Sequence, residues 1–219
     1  MRTIECCCTS LYEAREAKAG GAARIELCED LSVGGVTPSR ELIRRVVEEA
    51  GLPVNVLVRP RGGDFVFNDH EVNEMLESIA FCREAGVNAV VIGALDANGD
   101  VDMPVMRRLI EAAGPLPVTF HRAFDCCRSP IEAFEDIRRL GCARLLTSGH
   151  ESNAWDGREL IRKLVGIAGQ DIIVMPGCGV RTTNIAALDA FCGASEYHST
   201  SHGTDGRTDR SVVAQLCSL

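Results

Sequence analysis

Apolar positions along the chain switch period repeatedly, from alternation or short unbroken runs to a spacing of three to four residues and back. Residues 4–8, 23–28, 54–58, 88–95, 116–120, 144–147, 171–175 and 194–198 read as eight strands. A helical pattern follows each of them. Ser10 caps one that carries Leu11, Ala14 and Ala17 and closes at Gly20-Gly21. Pro38-Ser39 opens a second through Leu42, Ile43, Val46 and Val47, stopped by Gly51. Asn68 with Glu71 makes a capping box for a third, bearing Val72, Met75, Leu76 and Ile79 and ending before Gly86. Further helices are predicted at 104–113, from Ser129-Pro130 to Leu140, and at 156–168 just after the single tryptophan, Trp155. Thr182 or Thr183 is expected to cap a short helix reaching Phe191. The polar tail at 199–210 is expected to be mobile at its middle, with one or two helical turns over 212–217.

A repeat supports the count. Gly20-Gly-Ala-Ala-Arg-Ile-Glu-Leu27, Gly86-Val-Asn-Ala-Val-Val-Ile92, Gly141-Cys-Ala-Arg-Leu-Leu146 and Gly193-Ala-Ser-Glu-Tyr197 share one plan: a glycine ends a helix, a short link follows, and an apolar strand begins. They recur roughly 50–65 residues apart, about the length of two βα units. Four such double units predict a closed (β/α)₈ TIM barrel, one compact domain over 1–219 with short loops. An open doubly wound sheet is the rival, but it needs a topological switch point that a fourfold repeat gives no reason for.

Composition narrows the partners. A formal net charge of −8 argues against nucleic acid or an anionic membrane, which want a basic face, and no apolar run approaches a membrane span. The first residues carry no export-signal pattern, so a cytoplasmic setting is expected. The eleven cysteines, with no Cys-x-x-Cys pair, read as reduced thiols rather than a disulfide framework or zinc ribbon.

Candidate chemistry lies at strand ends. The strand at 54–58 stops in Arg59-Pro-Arg-Gly-Gly-Asp64, where Pro60 cannot continue a central ladder. In a barrel the C-terminal ends of the strands form one rim, the usual place of an active site, and side chains alternate inward and outward. Taking Glu5 as inward groups it with Cys7; likewise Glu26 goes with Cys28, Arg59 with Arg61, Thr119 with His121, and Glu196 with His198. Glu5, Glu26, Arg59, Arg61, His121 and His198 are therefore candidate acid–base and charge-binding groups if the chain is an enzyme. The plainer reading is a structural network in which Glu5, Glu26, Arg59 and Arg61 neutralise one another. Gly177 and Gly179 after the seventh strand, with Ser199 and Thr200 after the eighth, sit where many such barrels hold an anion on backbone N–H groups. An ordinary βα turn explains them equally well. Cys7 and Cys28, on neighbouring strand ends, form a two-sulfur set suited to Cu(I). No organic cofactor is implied.

These stretches resemble the CutC family. The resemblance rests on Arg24-Ile-Glu-Leu-Cys28, Gly34-Gly-Val-Thr-Pro-Ser39, Arg59-Pro-Arg-Gly-Gly-Asp-Phe65, Leu116-Pro-Val-Thr-Phe-His-Arg-Ala-Phe-Asp125, Leu146-Thr-Ser-Gly149 and Met175-Pro-Gly-Cys-Gly-Val180, in the family's order across residues 4–200. It implies a cytosolic (β/α)₈ barrel, often homo-oligomeric, linked to copper homeostasis and proposed to bind Cu(I) at the positions of Cys7 and Cys28. The chain departs from the family at Cys178, where glycine is usual, at Cys6 and Cys8, where valine is common, and at Cys126-Cys127. The second class of function, an enzyme acting on a small anionic and potentially phosphorylated metabolite, stays open beside copper handling.

Overall fold

In a computed structural model describing residues 2–218, strands and helices alternate eight times. They are β1 (Thr3–Cys8), α1 (Leu11–Gly20), β2 (Arg24–Leu27), α2 (Arg40–Glu49), β3 (Val54–Leu57), α3 (Asp69–Ala85), β4 (Ala89–Ile92) and α4 (Met103–Ala113). The second half holds β5 (Val118–Phe120), α5 (Pro130–Arg139), β6 (Arg144–Thr147), α6 (Arg158–Ala168), β7 (Ile173–Pro176), α7 (Ile185–Cys192), β8 (Glu196–Ser199) and α8 (Arg210–Ser218). Every pairing from β7 through β1 to β8 is parallel and joins neighbours in the chain, except that β1 also pairs with β8. Strands β7 and β8 then lie side by side and bring the sheet round on itself. The chain is a (β/α)₈ barrel, as the repeat predicts.

Local chemistry explains the breaks. Asn68 and Glu71 form the predicted capping box, and Ser10 caps α1 by accepting from the Glu13 N–H. The glycines of the repeat that follow α1, α3 and α7, namely Gly21, Gly86 and Gly193, hold left-handed backbone (φ 92°, 76° and 67°), and so does Gly141 (φ 77°) beyond α5. Side chains with a Cβ resist that conformation, so glycine ends the helix cleanly there. The apolar core lies mainly between sheet and helices, with Phe120, Phe124, Phe134 and Tyr197 fully buried.

Two expectations change. The cap of α7 is at Asn184, not at either threonine, because the Asn184 side chain ties the preceding turn by accepting from Arg181 N–H and donating to the Gly179 carbonyl. The tail after β8 is folded. His202 and Thr208 form a β-bridge, Ser201 and Thr208 are buried, and α8 runs nine residues against α1. Arg210 joins Glu16 of α1 in a two-pronged ion pair, and Val213 packs where a Gly20 side chain would stand. A polar composition hid these anchors.

Candidate active site at the barrel mouth

The inward parity of β1 and β2 holds. Cys6 turns outward to the Ser201 hydroxyl (3.3 Å) and Cys8 toward Thr208, while Cys7 faces Cys28 across the two strands with 3.5 Å between sulfurs. These two thiols stand at a cavity of about 860 Å³ that opens at the strand C-terminal ends. Glu26, Arg59, Phe65, His121, Cys126, Cys178, His198, Ser199 and Thr200 help to line it.

Beneath the mouth lies a charge layer. Arg24 donates to both Glu5 and Glu196, Arg144 donates to Glu196 at 2.7 Å, and the Asn55 amide donates to Glu5 at 2.9 Å. The Nδ1–H of His198 donates to the other Glu5 oxygen at 2.9 Å. So Glu5 does neutralise an arginine, as the structural reading expects, but the partner is Arg24 and not Arg59 or Arg61. Arg24 and Asn55 share inward parity with Glu26 and Arg59, lying two residues before Glu26 and four before Arg59, so extending the parity back along each strand finds them. Arg144 opens β6 and reaches in from its N-terminal end.

Titration follows these contacts. Burial alone would raise the Glu5 carboxyl, yet the His198 hydrogen bond and Arg24 outweigh it and bring it down to about 2. Burial would lower His198, but Glu26 and Glu5 together raise it. Glu26 gains only through-space attraction from His198 and Arg24, with no hydrogen bond. Its Oε2 is buried without a hydrogen-bond partner, 3.4 Å from a His198 nitrogen whose proton goes to Glu5, and burial pushes its carboxyl up to about 7. One atom each from Glu5, Glu26 and His198 converge within 4.8 Å. Glu5 is already saturated by Arg24, Asn55 and His198, so this cluster is read as a charge network rather than a cation site.

The two arginines of the 59–64 loop part company. Arg59 is buried and lines the cavity, its guanidinium donating to the carbonyls of Val33, Gly35 and Gly63 at 2.8–2.9 Å and lying over Phe65. Arg61 turns away, pairs with Glu71 and Asp64, and covers Phe67 outside the cavity. Once the strand ends at Leu57, parity no longer governs the loop. His121 lies at the cavity wall, its Nδ1 accepting from Ala123 N–H at 3.1 Å and its Nε2 buried without a partner. Burial and then Arg59 push this imidazole down to about 3, so it stays neutral.

The anion loops are only partly open. The Gly177 N–H is spent on the Thr147 carbonyl, and a Cβ there would strike Leu146, so this glycine serves packing. Ser199 donates to the Val180 carbonyl and accepts from Ser201 N–H. Gly179 (φ 74°) and Thr200 remain on the lining beside Arg181, Thr182 and Thr183. Cys178 also holds left-handed backbone (φ 69°), the conformation that favours glycine, and its thiol donates to the Ser152 carbonyl. Asp125, ending the His121–Asp125 block, accepts from Ser148 and His150 N–H groups and from Thr147, fastening the loops after β5 and β6 together.

Relatives agree with this frame. A Parabacteroides distasonis CutC protein is 50% identical over 199 residues, covering 90% of this chain and 82% of its own. One from Pasteurella multocida is 45% identical over 200 residues, covering 91% and 82%. A solved CutC structure from Streptococcus agalactiae superposes with a TM-score of 0.87 at 32% identity, covering 95% of this chain and all of the other. Phosphoribosylanthranilate isomerase from Thermotoga maritima, at 14% identity and a TM-score of 0.66 over 99% of this chain and 97% of its own, shares the fold alone. The CutC family pattern itself matches residues 2–203, and with these relatives it shows that the chain belongs to the CutC family.

Proposed function

We propose that this CutC-family protein takes part in copper homeostasis by holding Cu(I) as cargo on Cys7 and Cys28. The Streptococcus agalactiae relative is described as a copper homeostasis protein, which gives the reading its context. The observation that carries it is the pair of inward sulfurs 3.5 Å apart on the lining of the cavity. A soft monovalent ion prefers such thiolates to the harder oxygen set beside them. The Cys28 sulfur and burial push the Cys7 thiol well above its usual range, so the ion must displace protons to bind. The same reading places the protein in the reducing cytoplasm, as a homo-oligomer, with no nucleic-acid or membrane partner. Anaerobic Cu(I) competition titration of wild type and the Cys7→Ser/Cys28→Ser variant tests it. Affinity should collapse in the double variant; unchanged affinity would remove these ligands from consideration.

A second reading, an enzyme for a small anionic metabolite, draws on one specific observation. The cavity is far larger than an ion requires, and buried atoms of Glu26, Arg59 and His121 on its walls lack partners. Those are the features of a site shaped for an organic molecule.

A further inference from the structure

Among the described residues, a few buried side-chain N and O atoms lack a hydrogen-bond partner, and two of them flank one aromatic ring: Arg59 Nε and His121 Nε2. The Arg59 guanidinium lies 4.7 Å from the centre of the Phe65 ring, and the His121 ring centre is 5.0 Å from it. All three residues line the cavity, and both polar ones are only 4% exposed. Buried polar groups are nearly always satisfied, so orphans on a cavity wall mark the place of a ligand atom.

The donor character of both atoms follows from their other contacts. Ala123 N–H donates to Nδ1 of His121, so that nitrogen carries no proton, and Nε2 must bear it in the neutral ring. Arg59 spends both Nη1–H groups and one Nη2–H on three neutral carbonyls, which leaves its Nε–H orphaned and one Nη2–H to spare. No carboxylate balances this buried cation among the described residues. Asp64, the acid of the same loop, pairs with Arg61 at 3.0 Å. A buried charge without a counter-charge calls for one from outside. Two orphaned nitrogens and one positive charge match a carboxylate, with two oxygens and one negative charge. A phosphate, with nearly two charges, would leave one of them uncompensated by the single guanidinium.

We infer that Arg59 and His121 form, against the Phe65 ring, a receptor for the carboxylate of a small organic ligand, Arg59 through Nε–H and His121 through Nε2–H. Gly93 supports it from behind. A Cβ there would stand 2.6 Å from His121 Nδ1, so glycine makes room for the ring in this pose. Burial, reinforced by Arg59, keeps the imidazole neutral, and the Ala123 N–H fixes its tautomer. The inference rests on the reading that this cavity holds an organic anion, and it is independent of copper.

The test uses full-length, uniformly ¹⁵N-labelled protein and three probes: pyruvate, glyoxylate and inorganic phosphate. Pyruvate and glyoxylate should shift the protonated Nε2 resonance of His121 saturably, at roughly millimolar affinity for ligands this small. His121→Phe should weaken that binding about tenfold or more, and His121→Gln, which can place an amide N–H near the Nε2 position, should restore part of it. A proton found on Nδ1 instead of Nε2, measured on wild type without any substitution, would overturn the inference. Carboxylate binding that leaves His121 unmoved would overturn it while sparing the organic-anion reading. Phosphate binding seen only at the amides of Gly179 and Thr200 would do the same. Silence from all three probes would overturn both.

Discussion

The Nδ1 of His198 lies 2.9 Å from a Glu5 oxygen at the centre of the barrel, joining β8 to β1 through side chains where the backbone already pairs them. Around that contact Arg24, Asn55, Arg144 and Glu196 complete a layer drawn from five strands. Removing one member leaves buried charge without compensation. Arg24→Ala should therefore cost about 3–5 kcal/mol in urea unfolding. A loss under 1 kcal/mol would mean that the layer relaxes or hydrates.

Glu26 should make stability fall as pH rises. Its carboxyl is raised from 4.5 to about 7 in the folded protein, so the folded state holds a proton that the unfolded state releases. The associated stability is complete below pH 4.5 and is lost as pH climbs through 7. Glu26→Gln should match wild type at pH 4 and exceed it at pH 8, by on the order of 2–3 kcal/mol. Glu5 acts oppositely: its depressed carboxyl contributes above pH 4.5 and fails as pH drops toward 2. Equal pH slopes for Glu26→Gln and wild type would contradict the assignment.

Copper affinity should rise with pH if Cys7 and Cys28 are the ligands. Both must bind as thiolates, and Cys7 is held well above its usual range. Each proton displaced adds about one logarithmic unit of affinity per pH unit, up to about two in all. A pH-independent constant would point to thioether or imidazole ligands instead.

Gly93→Ala reports on the His121 pose. Its Cβ would come within 2.6 Å of the imidazole and 3.2 Å of Phe120. We expect a destabilisation of about 1–3 kcal/mol from overpacking, together with a displaced His121 ring resonance. An undisturbed resonance would mean that the backbone yields and the ring does not.

Cys178→Gly should stabilise. The left-handed backbone at φ 69° disfavours a cysteine, and the thiol's bond to the Ser152 carbonyl is partly exposed. Relief of strain less the added chain entropy leaves about 0.5–1 kcal/mol, readable as a higher Tm.

Much of this architecture was written locally. The glycine-ended repeats, the Asn68–Glu71 capping box and the period changes specified eight βα units, because helix ends and strand runs depend on neighbouring residues. Parity then put Cys7 opposite Cys28 and sent Cys6 and Cys8 outward, since side chains alternate wherever a strand persists. The same rule failed for Arg61, which lies beyond the strand and follows a loop path set by Glu71 and Asp64. Gly177 also looked like an anion-binding glycine until its N–H was found on Thr147, a partner thirty residues away. Which arginine neutralises Glu5, which carboxyl is left unpaired, and which nitrogen of His121 faces the cavity were decided only when eight strand ends met. Pairing among buried charges depends on distances across the barrel, and no local pattern encodes those.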